Sequence, residues 1–496
     1  MENEALTGAA EREEGPLPKS CPWEKREWIF LLSALLAAGC YFFSHFSPHF
    51  YENYHFPGIG LTLTQWLLTI VSLLYARKNG NLRWRRNPGG VFLLFIALGV
   101  GACFALFGDD AIRAMNLPVV ILTTAAAVFS LTGINPLPAL SGKGLLLALR
   151  LFLPSCFSHW LEPFYGLKTI IQRKKSKKLN ELAVGFLCGV PVILIALLLL
   201  SSADQVFGAF LKRGMASAAS VDVSLFIRLA FTLLLGLCLF SLLAATSFQP
   251  VEPTEKEAPS LSPVPLITIL AMLAAVYAPF VYVQFRYLFL QSAPAMGYAE
   301  YARSGFFQLV ILSMLTLGLI LPFLSLGKKS KTLRALCALI ALLTMIIDFS
   351  AFFRMRMYIL SFGLSILRLV TLWGMLMILL ALLGCVAKCA VPDLSICPAL
   401  TALALSTWLM LNLLNPDRIV AANQVSAYNR GTISTFDASY MTRLSPDVLP
   451  ELEKLEDSAL REKAIESAQE AYSRGYPRLY DWSLSCLNQS SIPDTK

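Results

Sequence analysis

Long apolar runs broken by short polar clusters cover most of the chain. A helix needs about 20 apolar residues to cross a bilayer core. Runs of that kind fall at 28–44, 58–76, 90–107, 116–133, 181–201, 223–247, 265–290, 305–326, 335–353, 362–387 and 396–414. The pattern predicts eleven transmembrane helices. A twelfth apolar stretch, 144–166, is interrupted by Arg150, His159 and Glu162. Its amphipathic spacing predicts a helix that lies in the interface or re-enters instead of crossing. Pro118 is placed to open its helix, because proline fits a first helical turn. Trp28, Trp66 and Trp160 sit where an interfacial aromatic belt would.

The polar connections orient these spans. Basic residues cluster at Arg77–Arg86, at Lys168–Lys178 and at Lys328–Arg334. Cytoplasmic loops carry the excess of Lys and Arg, so the N-terminus is expected inside. That orientation holds only if 144–166 does not cross. Residues 1–27 then form a cytoplasmic segment. Glu2, Glu4, Glu11, Glu13 and Glu14 argue against reading it as a cleavable signal. The Pro- and Glu-rich stretch 248–264 reads as a cytoplasmic linker within the 28–414 bundle. Eleven crossings leave residues 415–496 outside. There, helical spacing recurs over Pro416–Asn429 and over Asp457–Arg474, where Leu460, Ala464 and Ala468 repeat every four residues. Ser445-Pro446-Asp447 has the form of a helix start, with Pro in the first turn. The expected fold is all-α: a polytopic transmembrane helical bundle with a small extracytoplasmic helical tail.

Composition agrees with this picture. Hydrophobic residues are 56% of the chain and charged residues 15%, against about 25% charged in an ordinary soluble domain. Disordered and fibrous chains are excluded. The net charge of +9 would raise nucleic acid as a partner in a soluble protein. Here the basic residues lie in short interhelical loops and no stacking groove is evident, so no nucleic-acid partner is expected. The eleven cysteines are scattered, mostly within apolar segments, where a thiol behaves as a small hydrophobe. There is no Gly-rich phosphate loop, His-Glu-x-x-His pair or Gly-x-Ser-x-Gly elbow. No cofactor and no catalytic residue can be assigned on these motifs.

Two sets of residues could carry chemistry. His45, His49 and His55, with Glu52 among them, are ligand types that suit Zn²⁺ or Cu²⁺. Pro48 breaks their helical spacing, and an aromatic-rich interface loop is the competing reading. The second set is charged. An ionisable residue at the bilayer centre costs about 2.5–3.5 kcal/mol on insertion scales. Arg228, Arg286, Asp348 and Arg368 fall in spans, Glu300 and Arg303 in an outer loop, and Arg354 and Arg356 in the turn after the ninth span. All eight map to the outer half of the membrane. Six arginines against two acids leave surplus positive charge, and the planar guanidinium suits carboxylate and phosphate. The expected ligand-binding set is Arg286, Glu300, Arg303, Asp348, Arg354, Arg356 and Arg368, with Asp348 and Arg368 able to pair across one hairpin. The structural alternative has these arginines snorkelling to the interface. Asp109, Asp110, Asp204 and Asp222 would be counter-charges on the same side.

Four segments carry a resemblance. They are Ser202–Phe207, Tyr298–Leu309 (YAEYARSGFFQL), Arg354-Met355-Arg356-Met357-Tyr358 through Gly363-Leu364-Ser365 to Leu367-Arg368, and Asn415–Ala421 (NPDRIVA). Together they resemble the bacterial multi-pass membrane proteins of domain-of-unknown-function families 4173 and 4153, over residues 90 to 450. The sequence departs from that pattern at Gly297, Phe362 and Ser365. The resemblance implies a bacterial cytoplasmic-membrane protein and carries over no catalytic residue. Three functions are open. The first is non-enzymatic binding or transport of an anionic ligand, such as a lipid head group, a lipid-linked phosphate or a solute. The second is an accessory or scaffold role towards a membrane protein of an envelope or sensory complex, through 415–496. The third is an intramembrane transferase with Glu300 or Asp348 as base.

Overall fold

A bilayer offers the backbone no hydrogen-bond partner, so an apolar run must satisfy its own amides and carbonyls as helix. The computed structural model describes residues 25–45, 58–78, 82–163, 223–245, 263–289, 306–326, 330–473 and 485. Among them every regular element is helical. They are α1 (Lys25–His45), α2 (Ile59–Lys78), α3 (Pro88–Leu106), α4 (Asp110–Thr132), α5 (Gly142–Phe157), α6 (Val223–Ala245), α7 (Pro263–Phe289) and α8 (Phe306–Leu326). Next come α9 (Lys331–Phe362), α10 (Ile366–Ala390), α11 (Ile396–Leu413), α12 (Pro416–Asn429), α13 (Ala438–Met441), α14 (Leu449–Leu452) and α15 (Ser458–Ser473). A 3-10 turn at Pro446–Val448 leads into α14.

Seven of these, α3, α4 and α7 to α11, are long and apolar enough to cross a membrane. The spans read at 28–44, 58–76 and 223–247 coincide with shorter apolar stretches, Glu27–Gly39, Ile59–Leu74 and Phe231–Ala245. The span read at 181–201 lies outside the described residues. Large apolar side chains such as Met272, Leu315 and Phe95 face outward from the bundle. This is the architecture of a multi-pass membrane protein.

Local chemistry sets the helix ends, and two of them differ from the sequence reading. α4 starts at Asp110 and not at Pro118. The Asp109 carboxylate accepts hydrogen bonds from the Ala111 and Ile112 amides, and such a cap outweighs the proline signal. Pro118 therefore sits inside the helix. α9 does not stop at 353 but runs for 32 residues, about 48 Å at 1.5 Å per residue. Arg354 and Arg356 are consequently helical and not in a turn. Gly363 ends this helix with φ +73°, and a Cβ there would collide with the Gln424 amide.

The helices pack in three groups. α1 and α6 run antiparallel, with Phe30 and Ala34 against Phe240, Leu243 and Ala244. α3, α4 and α11 close around Ile96, Val100, Phe104, Val120, Trp408 and Leu409. α7 to α10 close around Leu270, Ile320, Ile340, Ile347 and Leu382. Polar side chains join the helices where apolar contact gains nothing over lipid. Asn116 donates to Asn412 (2.6 Å), Trp408 donates to Asn116 (2.8 Å) and Gln65 donates to the Ala97 carbonyl (3.0 Å).

Two further features bear on topology. α5 meets Cys397 near its start, and near its end the Ser155 carbonyl and His159 amide bond to Ser241, close to the end of α6. It presents Leu146, Leu149, Leu153 and Phe157 outward. The tail packs Val420, Val425, Val448, Leu452, Ala464 and Ala468 together with Ile112, Leu364 and Ile366. It is docked on the α3–α4 loop and the α9–α10 turn.

Candidate functional site

Two buried polar regions stand out. The first lies between α7, α8 and α9. Ser350 and Arg354 are one turn apart on α9 and so share a face. Both donate to Gln284 Oε1 on α7, at 2.9 and 3.0 Å. Arg354 is 6% exposed and Ser350 1%. Deeper in the same group, the Tyr277 hydroxyl bonds the Thr316 hydroxyl at 2.8 Å. Asp348 is 2% exposed, and its Oδ1 has no hydrogen-bond partner. Burying an isolated carboxylate is costly, so this residue is not explained by stability.

The other expected site residues do not all converge there. Arg368 does not pair with Asp348. Its guanidinium donates to the Phe362 carbonyl at 3.2 Å and to the Gly363 carbonyl, and lies 4.2 Å over the Tyr358 ring. The physical reason is the end of α9. Its last carbonyls lack helical partners and draw the cation, about 20 Å along the axis from Asp348. Arg356 is exposed. Arg286 is on α7 two residues beyond Gln284, but its side chain lies outside what is described. Glu300 and Arg303 lie outside the described residues. So do His49 and His55, while His45 is the last residue of α1. Asp110 pairs locally with Arg113 at 3.7 Å.

The second region is the junction between the tail and the bundle, which sequence reasoning missed. Asp109, Asp417 and Asp447 are 6%, 0% and 6% exposed. Asp109 Oδ1 accepts the two α4 amides, at 2.8 and 3.1 Å. Asp417 Oδ2 accepts the Ser445 amide at 2.7 Å. Their other oxygens, Asp109 Oδ2 and Asp417 Oδ1, meet no N–H or O–H donor. The two side chains are within hydrogen-bonding reach of each other. Asp447 Oδ2 accepts from Ser485 Oγ (2.6 Å) and Asn415 Nδ2 (2.9 Å), and the Gly108 amide donates to Ser485 Oγ (2.9 Å).

Burial pushes both paired carboxyls above the ordinary range, and the neighbouring Asp109 charge pushes Asp417 further. Burial, then the Asp417 and Asp447 charges, raises the Tyr472 hydroxyl as well. Burial would also raise Glu451, but bonds from Lys454 (2.5 Å) and Arg418 (2.9 Å) outweigh it and hold the carboxyl low. The available signal for the junction was two aspartates at helix starts, Gly108-Asp109 and Asn415-Pro416-Asp417. Alone, Asp109 reads as a cap and Asp417 as a first-turn acid.

The tail also grips the α9–α10 turn. Asn423 Oδ1 accepts the Leu364 amide (3.1 Å), Gln424 Nε2 donates to the Leu364 carbonyl (2.8 Å) and the Tyr440 hydroxyl accepts the Ile366 amide (3.0 Å). The turn that carries Arg368 is thus set by the tail.

No curated protein and no solved structure matches the chain. A family model described as a domain of unknown function, DUF4153, matches residues 92–455, a span that holds α4 to α14 and both polar regions. Over residues 92–455, nearly three quarters of its length, this chain matches that model and belongs to the DUF4153 family.

Proposed function

We propose that the protein binds or moves an anionic ligand at the ends of α7, α9 and α10 nearest the tail. The observation that carries this reading is the buried Arg354 guanidinium, which donates to Gln284, in a helix group that also buries Asp348 with no hydrogen-bond partner on Oδ1. A buried cation in lipid is costly and aims five donors in a fork that fits phosphate or carboxylate. Arg356 is on the next turn-half of the same helix, and Arg368 is fixed by the tail-clamped turn. Arg286, Glu300 and Arg303 are proposed to close the site from the α7–α8 connection.

The wider reading belongs with this proposal. Eleven spans, with the N-terminus inside and residues 415–496 outside a bacterial cytoplasmic membrane, are favoured by loop charge. The outward apolar stripe of α5, with both its ends at one end of the bundle, supports an interfacial helix there. Kinship with family 4173 rests on the segments at 298–309 and 354–368.

The test is native mass spectrometry of the protein released from nanodiscs of mixed phosphatidylglycerol and phosphatidylcholine. Retained phosphatidylglycerol on the wild type, lost in both Arg354→Gln and Arg356→Gln while helical content holds, is the expected result. Equal retention in all three would overturn the lipid-headgroup form. Equal binding of inorganic phosphate by calorimetry would overturn the anion site itself.

A further inference from the structure

The Asp109–Asp417 contact ties a loop between two membrane helices to a helix of the tail, some 300 residues later in sequence. Its geometry is nearly symmetric. Each carboxyl has one oxygen anchored by backbone amides and one without a hydrogen-bond partner, with the Ser445 hydroxyl also within reach of Asp417. The two carboxyls are within hydrogen-bonding reach of each other, and the oxygens left without a partner are the ones free to meet. Two carboxylates so placed repel, whereas one proton between them makes a short charge-assisted bond.

We propose that Asp109 and Asp417 are a one-proton latch: shared, the proton holds α12 on the α3–α4 loop, and its loss releases the tail from the bundle.

The groups around the pair do not replace that proton. On α4, Asp110 faces Arg113, whose Nη2 donates to the Phe104 carbonyl at 2.8 Å. On the tail, Asp447 accepts from Asn415 and Ser485. The Tyr472 hydroxyl donates to the Met441 and Ser445 carbonyls. The Tyr440 hydroxyl accepts the Ile366 amide and also feels the Arg368 charge, which is bonded to the Phe362 and Gly363 carbonyls. Arg418 and Lys454 are taken by Glu451. The nearest charges facing the pair are thus acidic or already bonded.

The consequence extends beyond the latch itself. α12 carries Asn423 and Gln424, which clamp the turn at Gly363–Ser365. Releasing α12 frees that turn and with it Arg368. The latch therefore couples proton availability on the tail side to the shape of the α9–α10 end. It does not depend on what binds at Arg354.

The sign follows from linkage. The docked pair holds a proton that separated aspartates release, so docking is complete at low pH and weakens as pH rises through the docked pair's transition, up to about tenfold per pH unit. The experiment is hydrogen–deuterium exchange of the full chain in nanodiscs from pH 5 to 9, corrected for intrinsic exchange. Protection of residues 416–455 is expected to fall with that slope in the wild type. In Asp417→Asn and Asp109→Asn an amide donates where the proton sat, and protection is expected to stay flat with pH. If one variant fails to fold, the other carries the comparison. A flat wild-type profile, or Asn variants that track the wild type, overturns the latch.

Discussion

Buried carboxyls occur both in the bundle and at the tail junction, and the protein treats them in opposite ways. At the junction, Asp109 and Asp417 each accept backbone amides and lie within hydrogen-bonding reach of one another, while Asp447 accepts from Asn415, Ser445 and Ser485. In the bundle, Asp348 is equally buried and has nothing on Oδ1. Junction acids bind parts of the chain together. The bundle acid leaves Oδ1 without any such partner. A buried group left unsatisfied in a native structure requires an explanation other than stability, so the contrast assigns a docking role to one set and a ligand- or proton-linked role to the other.

Substitutions can break or sharpen this contrast. The largest loss is expected from Gly363→Ala, which forces a side chain into left-handed backbone and onto Gln424. Thermal unfolding in detergent should show about 3 kcal/mol of destabilisation, with the tail becoming protease-sensitive. A variant of wild-type stability would mean that the turn is not clamped. Asp348→Leu should do the reverse and raise stability by about 1–3 kcal/mol, because it removes a buried polar group with no partner. A clear loss of stability there would reveal a structural partner and remove the contrast. Gln284→Ala deprives Ser350 and Arg354 of their shared acceptor and should cost about 1–2 kcal/mol. No change would place Arg354 on the structural side, satisfied elsewhere.

The smallest effect is expected at the rim of the junction. Arg418 and Lys454 are more than half exposed, so Arg418→Ala should cost under about 1 kcal/mol. Glu451 is held below its ordinary range. Its contribution is therefore present above the ordinary carboxylate pKa and fades as pH falls through the lowered value. The aspartate pair fades in the other direction. A pH scan of tail protection should show a weak acid edge that Glu451→Gln abolishes and a stronger alkaline edge that Asp417→Asn abolishes. One edge responding to both variants would mean a single network.

Much of this was legible in one dimension. The tail helix at Pro416–Asn429 could be read with its ends, because Asn415 and Pro416 mark its start and both signals are local. The apolar runs at 90–107 and 396–414 map closely onto α3 and α11 for the same reason. Pro118 misled, because a cap eight residues earlier set the start of α4. Two arginines so close together look like the end of an apolar span, yet Arg354 and Arg356 are both helical. In fact Gln284 on another helix makes a buried arginine tolerable. The Asp348–Arg368 pairing failed because the open end of α9 competes for the cation.

Period, length and charge asymmetry along the chain therefore determined that the protein is an all-helical membrane bundle with a helical tail, since a bilayer penalises any other backbone. Which buried charges meet was decided only in the tertiary structure. Asp109 caps α4 and Asp417 lies in the first turn of α12, and the two carboxyls come within reach of each other only when the tail folds back onto the α3–α4 loop.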